Sequence, residues 1–149
     1  MTVLHLDMGN KYRRPETIEV INVYSRWQAL ADGELVDISA TAAEAGFVVP
    51  VAVTRALWAD IETIPGDVSW QDVKGRLWDV IWMARCAVKG VGRVTVISEC
   101  ECIFGVILYT EEGQFVDGDN EPPVYRVKLI SGPDDNGEHV ITLMQLGED

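Results

Sequence analysis

Asp79 raises the sharpest chemical question in this chain. It lies inside "GRLWDVIWMARCAV" (Gly75 to Val88), among two tryptophans, a methionine and several aliphatics. An ionised carboxylate is not buried without a partner. Arg55, Arg76 and Arg85 are the candidate partners, and Arg76 lies one helical turn before Asp79. One reading is an internal Arg–Asp bridge that fixes helix packing. The other is a polar pocket at a helix–loop junction, in which Asp37, Arg55 and Asp79 hold a small molecule or supply an acid. Structural ion pairs perturb carboxylates as readily as active sites do, and this favours the bridge.

Other chemistry finds little support. The two histidines, His5 and His139, stand far apart. Cys100 and Cys102 form a C-x-C, which period two would place on one face of a strand. A zinc site needs about four ligands at recognisable spacing, and none is visible, so Cys86, Cys100 and Cys102 read as small hydrophobes. No metal and no cofactor is expected. No G-x-S-x-G, Cys-His signature, P-loop or G-x-G-x-x-G occurs. "GVG" (Gly90 to Gly92) follows a helix, and so is a stop signal and not a phosphate cradle. Ser25, Ser39, Thr54 and Ser69 each stand where a helix cap is expected, which explains them without catalysis.

Charge is the strongest compositional signal. Asp and Glu number 24 against 12 Lys and Arg, giving −12. Residues 111–149 hold ten acids and two bases, and so carry most of the imbalance. Such a field repels nucleic acid and anionic membrane and favours basic partners. Glu111, Glu112, Asp117, Asp119, Glu121, Asp134 and Asp135 are the candidate contacts, with Trp27 as an aromatic anchor beside Arg26. Turn chemistry accounts for many of these carboxylates as well.

These groups must be positioned by one ordinary domain spanning 1–149, long enough to bury about two-thirds of its unfolded surface. No segment reaches the ~18 consecutive apolar residues of a membrane span. The N-terminus lacks secretory charge order and the cysteine count is odd, so a cytoplasmic setting is expected. Residues 1–15 show no clean period and read as mobile or as a short edge strand. "TIEVINVY" (Thr17 to Tyr24) alternates and reads as a strand. Residues 25–89 read as mainly helical: Ser25 caps a helix closed by Gly33, Ser39 caps "ATAAEAG", and Thr54 caps "RALWADIE". "ELVDI" and "FVVPVAV" are brief extended pieces between them.

Ser69, with Asp72 three residues on, opens the longest helix, which stops at Gly90. At ~100° per residue, Trp70, Val73, Leu77, Ile81, Ala84 and Val88 share one face, and Trp78, Trp82 and Cys86 form a second stripe. A helix apolar on both sides is normally buried on both, which predicts a central helix between the small helices and a sheet. Residues 93–146 alternate with period two, as in "RVTVIS", "CIFGVILYT", "VYRVKLI" and "HVITLMQL", with Asn136-Gly137 in a hairpin connection. The expected fold class is α+β: small N-terminal helices and one long central helix on a C-terminal antiparallel sheet of three to four strands.

Three segments, "ADGELVDISATAAEAGFVVPVAVTRALW", "GRLWDVIWMARCAV" and "SGPDDNGEHVITLMQLGED", resemble in order a domain-of-unknown-function family. Its members are small acidic proteins encoded on bacterial plasmids, phages and integrative elements. The resemblance implies a mobile-element setting and supplies no catalytic residues. The combined expectation is a non-enzymatic, acidic protein-interaction module, counter-defence or regulatory in role, that engages a basic host protein and binds neither nucleic acid nor membrane. The alternative is a small-molecule-binding or enzymatic domain with a pocket at Asp37, Arg55 and Asp79. A homo-oligomer is a third outcome, with Val80 and Met83 placed to face a second copy.

Overall fold

The computed structural model describes residues 25–66, 71–108 and 124–148. The expectations for residues 1–15, for "TIEVINVY", for Ser69 and Trp70, and for the acids Glu111 to Glu121 lie outside these residues. Among the described residues the chain runs α1 (Arg26–Asp32), β1 (Leu35–Asp37), α2 (Ser39–Glu44), β2 (Val51–Thr54), α3 (Arg55–Glu62), α4 (Val73–Val88), β3 (Val94–Ser98), β4 (Glu101–Val106), β5 (Tyr125–Pro133) and β6 (His139–Gln145).

The architecture is mixed α+β, but the sheet is larger than expected. Among the described residues it has six strands in the order β1-β2-β6-β5-β4-β3. The antiparallel β3–β6 run is the expected C-terminal sheet; β1 and β2 extend it from the N-terminal half. The extension works because β2 pairs parallel with β6, Val51 opposite Ile141 and Val53 opposite Leu143. Val51, Ala52 and Val53 are buried on both faces, as a strand inside a sheet requires. Hydrophobic pattern shows that this stretch is extended; it does not show which distant strand it joins.

Helices α2, α3 and α4 pack on one face of the sheet, with α4 over β4 and α3 over β2 and β6. Leu57 and Ile61 of α3, Leu77, Val80, Ile81 and Ala84 of α4, and Phe104, Val127 and Leu143 of the strands share one buried cluster. Val140 and Met144, which alternate with Ile141 and Leu143 along β6, are buried outside that cluster. On the reverse side α1 is tied down as Arg26 Nη1 donates to Thr142 Oγ1 at 2.5 Å.

Most boundary chemistry follows the expected residues. Ser25 Oγ accepts from the Gln28 amide while the Gln28 side chain accepts from the Ser25 amide, a complete capping box. Gly33 follows α1 with φ 81°, and Thr54 Oγ1 caps α3 by accepting from Leu57 N. After α4, Gly90 (φ 73°) donates to Ala87 O and Val91 to Cys86 O, a Schellman stop. Two caps differ. Ser39 is the first residue of α2, not its cap: its hydroxyl donates to Asp37 Oδ1 and accepts from Val51 N, joining β1 to β2. The described cap of α4 is Asp72, whose carboxylate accepts from Gly75 N at 2.6 Å, and the helix opens at Val73. In the β5–β6 connection Asp134 N donates to Glu138 O, Gly137 N donates to Asp134 O, and Gly137 takes the left-handed conformation at φ 81°.

Candidate functional site

Among the described residues, helix α4 is covered on one side only. Val73, Leu77, Val80, Ile81, Ala84 and Ala87 turn inward, Val73 only partly buried. The opposite stripe, spaced three and four residues apart, is Gly75, Trp78, Trp82, Arg85 and Lys89. Trp78 is 37% exposed and Trp82 43%. Their rings stack with centroids 6.1 Å apart and planes 19° off parallel. The Arg85 guanidinium lies over Trp82, 5.6 Å from the ring centroid, in cation–π range. The expectation that both tryptophans are core is therefore corrected. Val88, assigned to the inner face, is exposed as well. The proposed pairing of Val80 and Met83 against a second copy is corrected too: Val80 is fully buried and Met83 packs against the core.

The charge inside α4 is Arg76, not Asp79. Arg76 is 2% exposed, whereas Asp79 lies on the exposed side. The Arg76 guanidinium donates from Nε to Ile61 O at 2.7 Å and from Nη2 to Asp60 O at 2.7 Å and Thr63 O at 3.4 Å. Its Nη1 donates to Gln71 Oε1 at 2.5 Å. Arg76 thus satisfies carbonyls at the end of α3 that have no partner within that helix, and its cation complements the negative end of the helix dipole. Burial pulls its pKa down, opposed by the charges of Asp60 and Asp79. Partial burial pushes the Asp79 carboxyl up, and Arg76 pulls it back. Of the three arginines considered for Asp79, Arg76 is the one whose charge acts on it.

The other pocket candidates have separate partners. Arg55 pairs with Glu34 at 2.6 Å on the exposed surface. Asp37 Oδ1 accepts from Ser39 N at 2.9 Å and from Ser39 Oγ at 2.6 Å. Asp37 joins the second candidate set instead. Asp135 accepts from Arg26 N at 3.1 Å and Trp27 N at 2.8 Å, adding a carboxylate to the start of α1. Asp134 Oδ1 accepts from the amides of Asn136 and Glu138 and shapes the turn. Burial lowers the Arg26 pKa, while Asp134, Asp135 and Asp37 raise it. Trp27, beside Arg26 in α1, is half-buried. The structure thus gathers Asp37, Asp134 and Asp135 around Arg26.

Sequence reasoning missed a polar network at one end of the sheet. Asp60 of α3 accepts from the Tyr125 hydroxyl and from Gln145 Nε2, the latter at 2.8 Å. Glu148 Oε2 accepts from Thr54 Oγ1 at 2.7 Å and from Gln145 N at 2.8 Å, and Lys128 Nζ donates to the Glu148 carbonyl. Burial, then the hydrogen bond and charge of Asp60, push the Tyr125 phenol well above the ordinary tyrosine range. Its available signal was weak: Tyr125 begins a strand with period-two polarity, but only pairing puts Val127 opposite Gln145. The cysteines are free. Cys100 lies in the β3–β4 turn and only Cys102 is on β4, so the two do not share a strand face. Burial and Glu101 push the Cys102 thiol up. No described helix is long and apolar enough to cross a membrane.

The fold and these surroundings define a mixed α+β protein whose inner polar groups serve its own helix ends, with aromatic side chains held outside. The chain belongs to the family described as a family of unknown function, DUF6573, whose model matches residues 10–149. No curated protein and no solved structure matches it.

Proposed function

We propose that this protein is a non-enzymatic interaction module, an accessory protein of a mobile genetic element that acts in the cytoplasm on a basic host protein. The observation that carries this reading is the exposed Trp78–Trp82 stack on the outer face of α4. Tryptophan is enriched among residues that dominate binding energy. A ring already holding one guanidinium, as Trp82 holds Arg85, is chemically suited to the arginines and lysines of a basic partner. The net charge of −12 supports the same partner class and would steer its approach. Glu111, Glu112, Asp117, Asp119 and Glu121 supply charge for this contact, together with Asp134 and Asp135. The resemblance to proteins of plasmids, phages and integrative elements supports the setting, and a counter-defence or regulatory role fits it.

The test is titration of the protein with an arginine-rich peptide, followed by tryptophan fluorescence across a salt series. Affinity should fall steeply with ionic strength. It should weaken about tenfold or more in Trp78→Ala/Trp82→Ala, which leaves net charge unchanged. Binding that ignores salt, or that ignores both tryptophans, would contradict this reading.

A further inference from the structure

Arg85 is held differently from the other arginines of the helices. Arg76 donates to the carbonyls that end α3 and to Gln71, Arg26 donates to Thr142 and Ile141, and Arg55 pairs with Glu34. Among the described residues Arg85 makes no hydrogen bond and no ion pair. Its guanidinium rests on two neighbours instead. One is the Trp82 ring, with Cζ 5.6 Å from the ring centroid. The other is Gly46, just after α2, where a Cβ would lie 2.5 Å from Arg85 Nε and 3.0 Å from Cζ and Nη2. Gly46 has φ 105° and donates to Ala43 O, so the turn that ends α2 requires glycine there and thereby keeps this gap open.

Ring and glycine together make a small site for a planar cation. The indole attracts a cation through its ring quadrupole, and the missing side chain of Gly46 leaves room beside it for a guanidinium. The site opens to water: Trp82 is 43% exposed and Arg85 half-buried. With no carboxylate to fix it, Arg85 is held by the ring contact, which is weak at an exposed position. A second guanidinium, arriving on a chain with further cations, is drawn by the net charge of −12 as well. Trp78, stacked on Trp82 one turn earlier, offers that chain another ring. A site filled part of the time by its own chain binds an outside ligand with affinity reduced by the fraction that stands open.

We propose that Trp82 and Gly46 form a guanidinium site for an arginine of the basic partner, and that Arg85 fills this site until the partner's side chain displaces it. This rests on the basic partner proposed above and names how one of its side chains is received. The test is fluorescence titration with an arginine-rich peptide at one ionic strength, comparing the unmodified protein with Arg85→Ala and Lys89→Ala. Lys89 is exposed on the same stripe, so its removal takes away the same charge without emptying the ring. Both side chains lie outside the buried cluster, so neither substitution should unfold the chain. Arg85→Ala should bind the peptide about fivefold more tightly, and Lys89→Ala less than about twofold. Adding Trp82→Ala to Arg85→Ala should abolish the gain. A lysine-rich peptide of equal length and charge should gain less from Arg85→Ala, since an ammonium lacks the planar shape. Equal gains in the two single variants, a gain that survives Trp82→Ala, an equal gain with the lysine peptide, or weaker binding by Arg85→Ala would each overturn the proposal. Those results leave the basic-partner reading standing, which fails instead if binding by the unmodified protein ignores salt or both tryptophans. No binding by the unmodified protein or by Arg85→Ala would overturn both.

Discussion

On the inner side of α4 a guanidinium is held by the carbonyls that end α3; on the outer side, two residues further along, tryptophans stack in contact with water. Residue type and environment are exchanged relative to the simplest amphipathic helix. The inner side teaches that a buried charge is stable where unpaired acceptors already exist, because the end of α3 presents carbonyls that need donors. The outer side teaches that apolar character does not dictate burial. Helix α4 has one sheet to lie on and neighbours in α2 and α3, and its remaining face has nothing among the described residues to cover it. The inner arginine therefore serves the fold, while the outer pair is available to serve recognition.

The largest expected effect breaks the inner side. Arg76→Ala should destabilise the protein by about 3–5 kcal/mol in urea denaturation, because it leaves buried carbonyls unsatisfied as well as a void. Arg76→Met, which keeps the packing, should lose less. Equal losses would mean that the guanidinium contributes nothing beyond its volume. A smaller effect sharpens the same side. Tyr125→Phe removes the hydrogen bond to Asp60 and should cost about 1.5–3 kcal/mol. The Tyr125 pKa is raised, so the neutral phenol is the form the fold favours. Its stabilisation is present below the unfolded tyrosine pKa of about 10 and lost as pH rises through the folded value. In an absorbance titration one tyrosine should ionise above the ordinary range and be missing from the Phe variant. An unchanged titration curve would place Tyr125 outside the network.

What was legible in the sequence follows from how local each feature is. The Ser25 and Thr54 caps and the glycine stops at Gly33 and Gly90 depend on neighbouring residues, and they stand where the sequence puts them. The period-two strands of the C-terminal half do too, since each carries its own alternation. The β2–β6 parallel pair is not local, since 90 positions separate Ala52 from its partner Thr142, and no residue in either strand names the other. The exposed tryptophans were legible in part. Their stripe continues through Arg85 to Lys89, and a stripe that ends in cations points to solvent. Arg76 gave the opposite signal, lying between Val73 and Val80 on the inward arc. Asp134 and Asp135 were recognised as turn formers and charge carriers and Asp37 as a pocket candidate, but their gathering around Arg26 depends on how the β5–β6 turn meets α1.

The most direct measurement is urea denaturation of Trp78→Ala/Trp82→Ala against the unmodified protein. Two tryptophans held outside the core, stacked mainly on each other, should together cost under about 1.5 kcal/mol, with an unchanged dependence on urea. A loss of about 3–5 kcal/mol or more, the cost of removing tryptophan from a packed core, would show that α4 is buried on both sides after all and contradict the account.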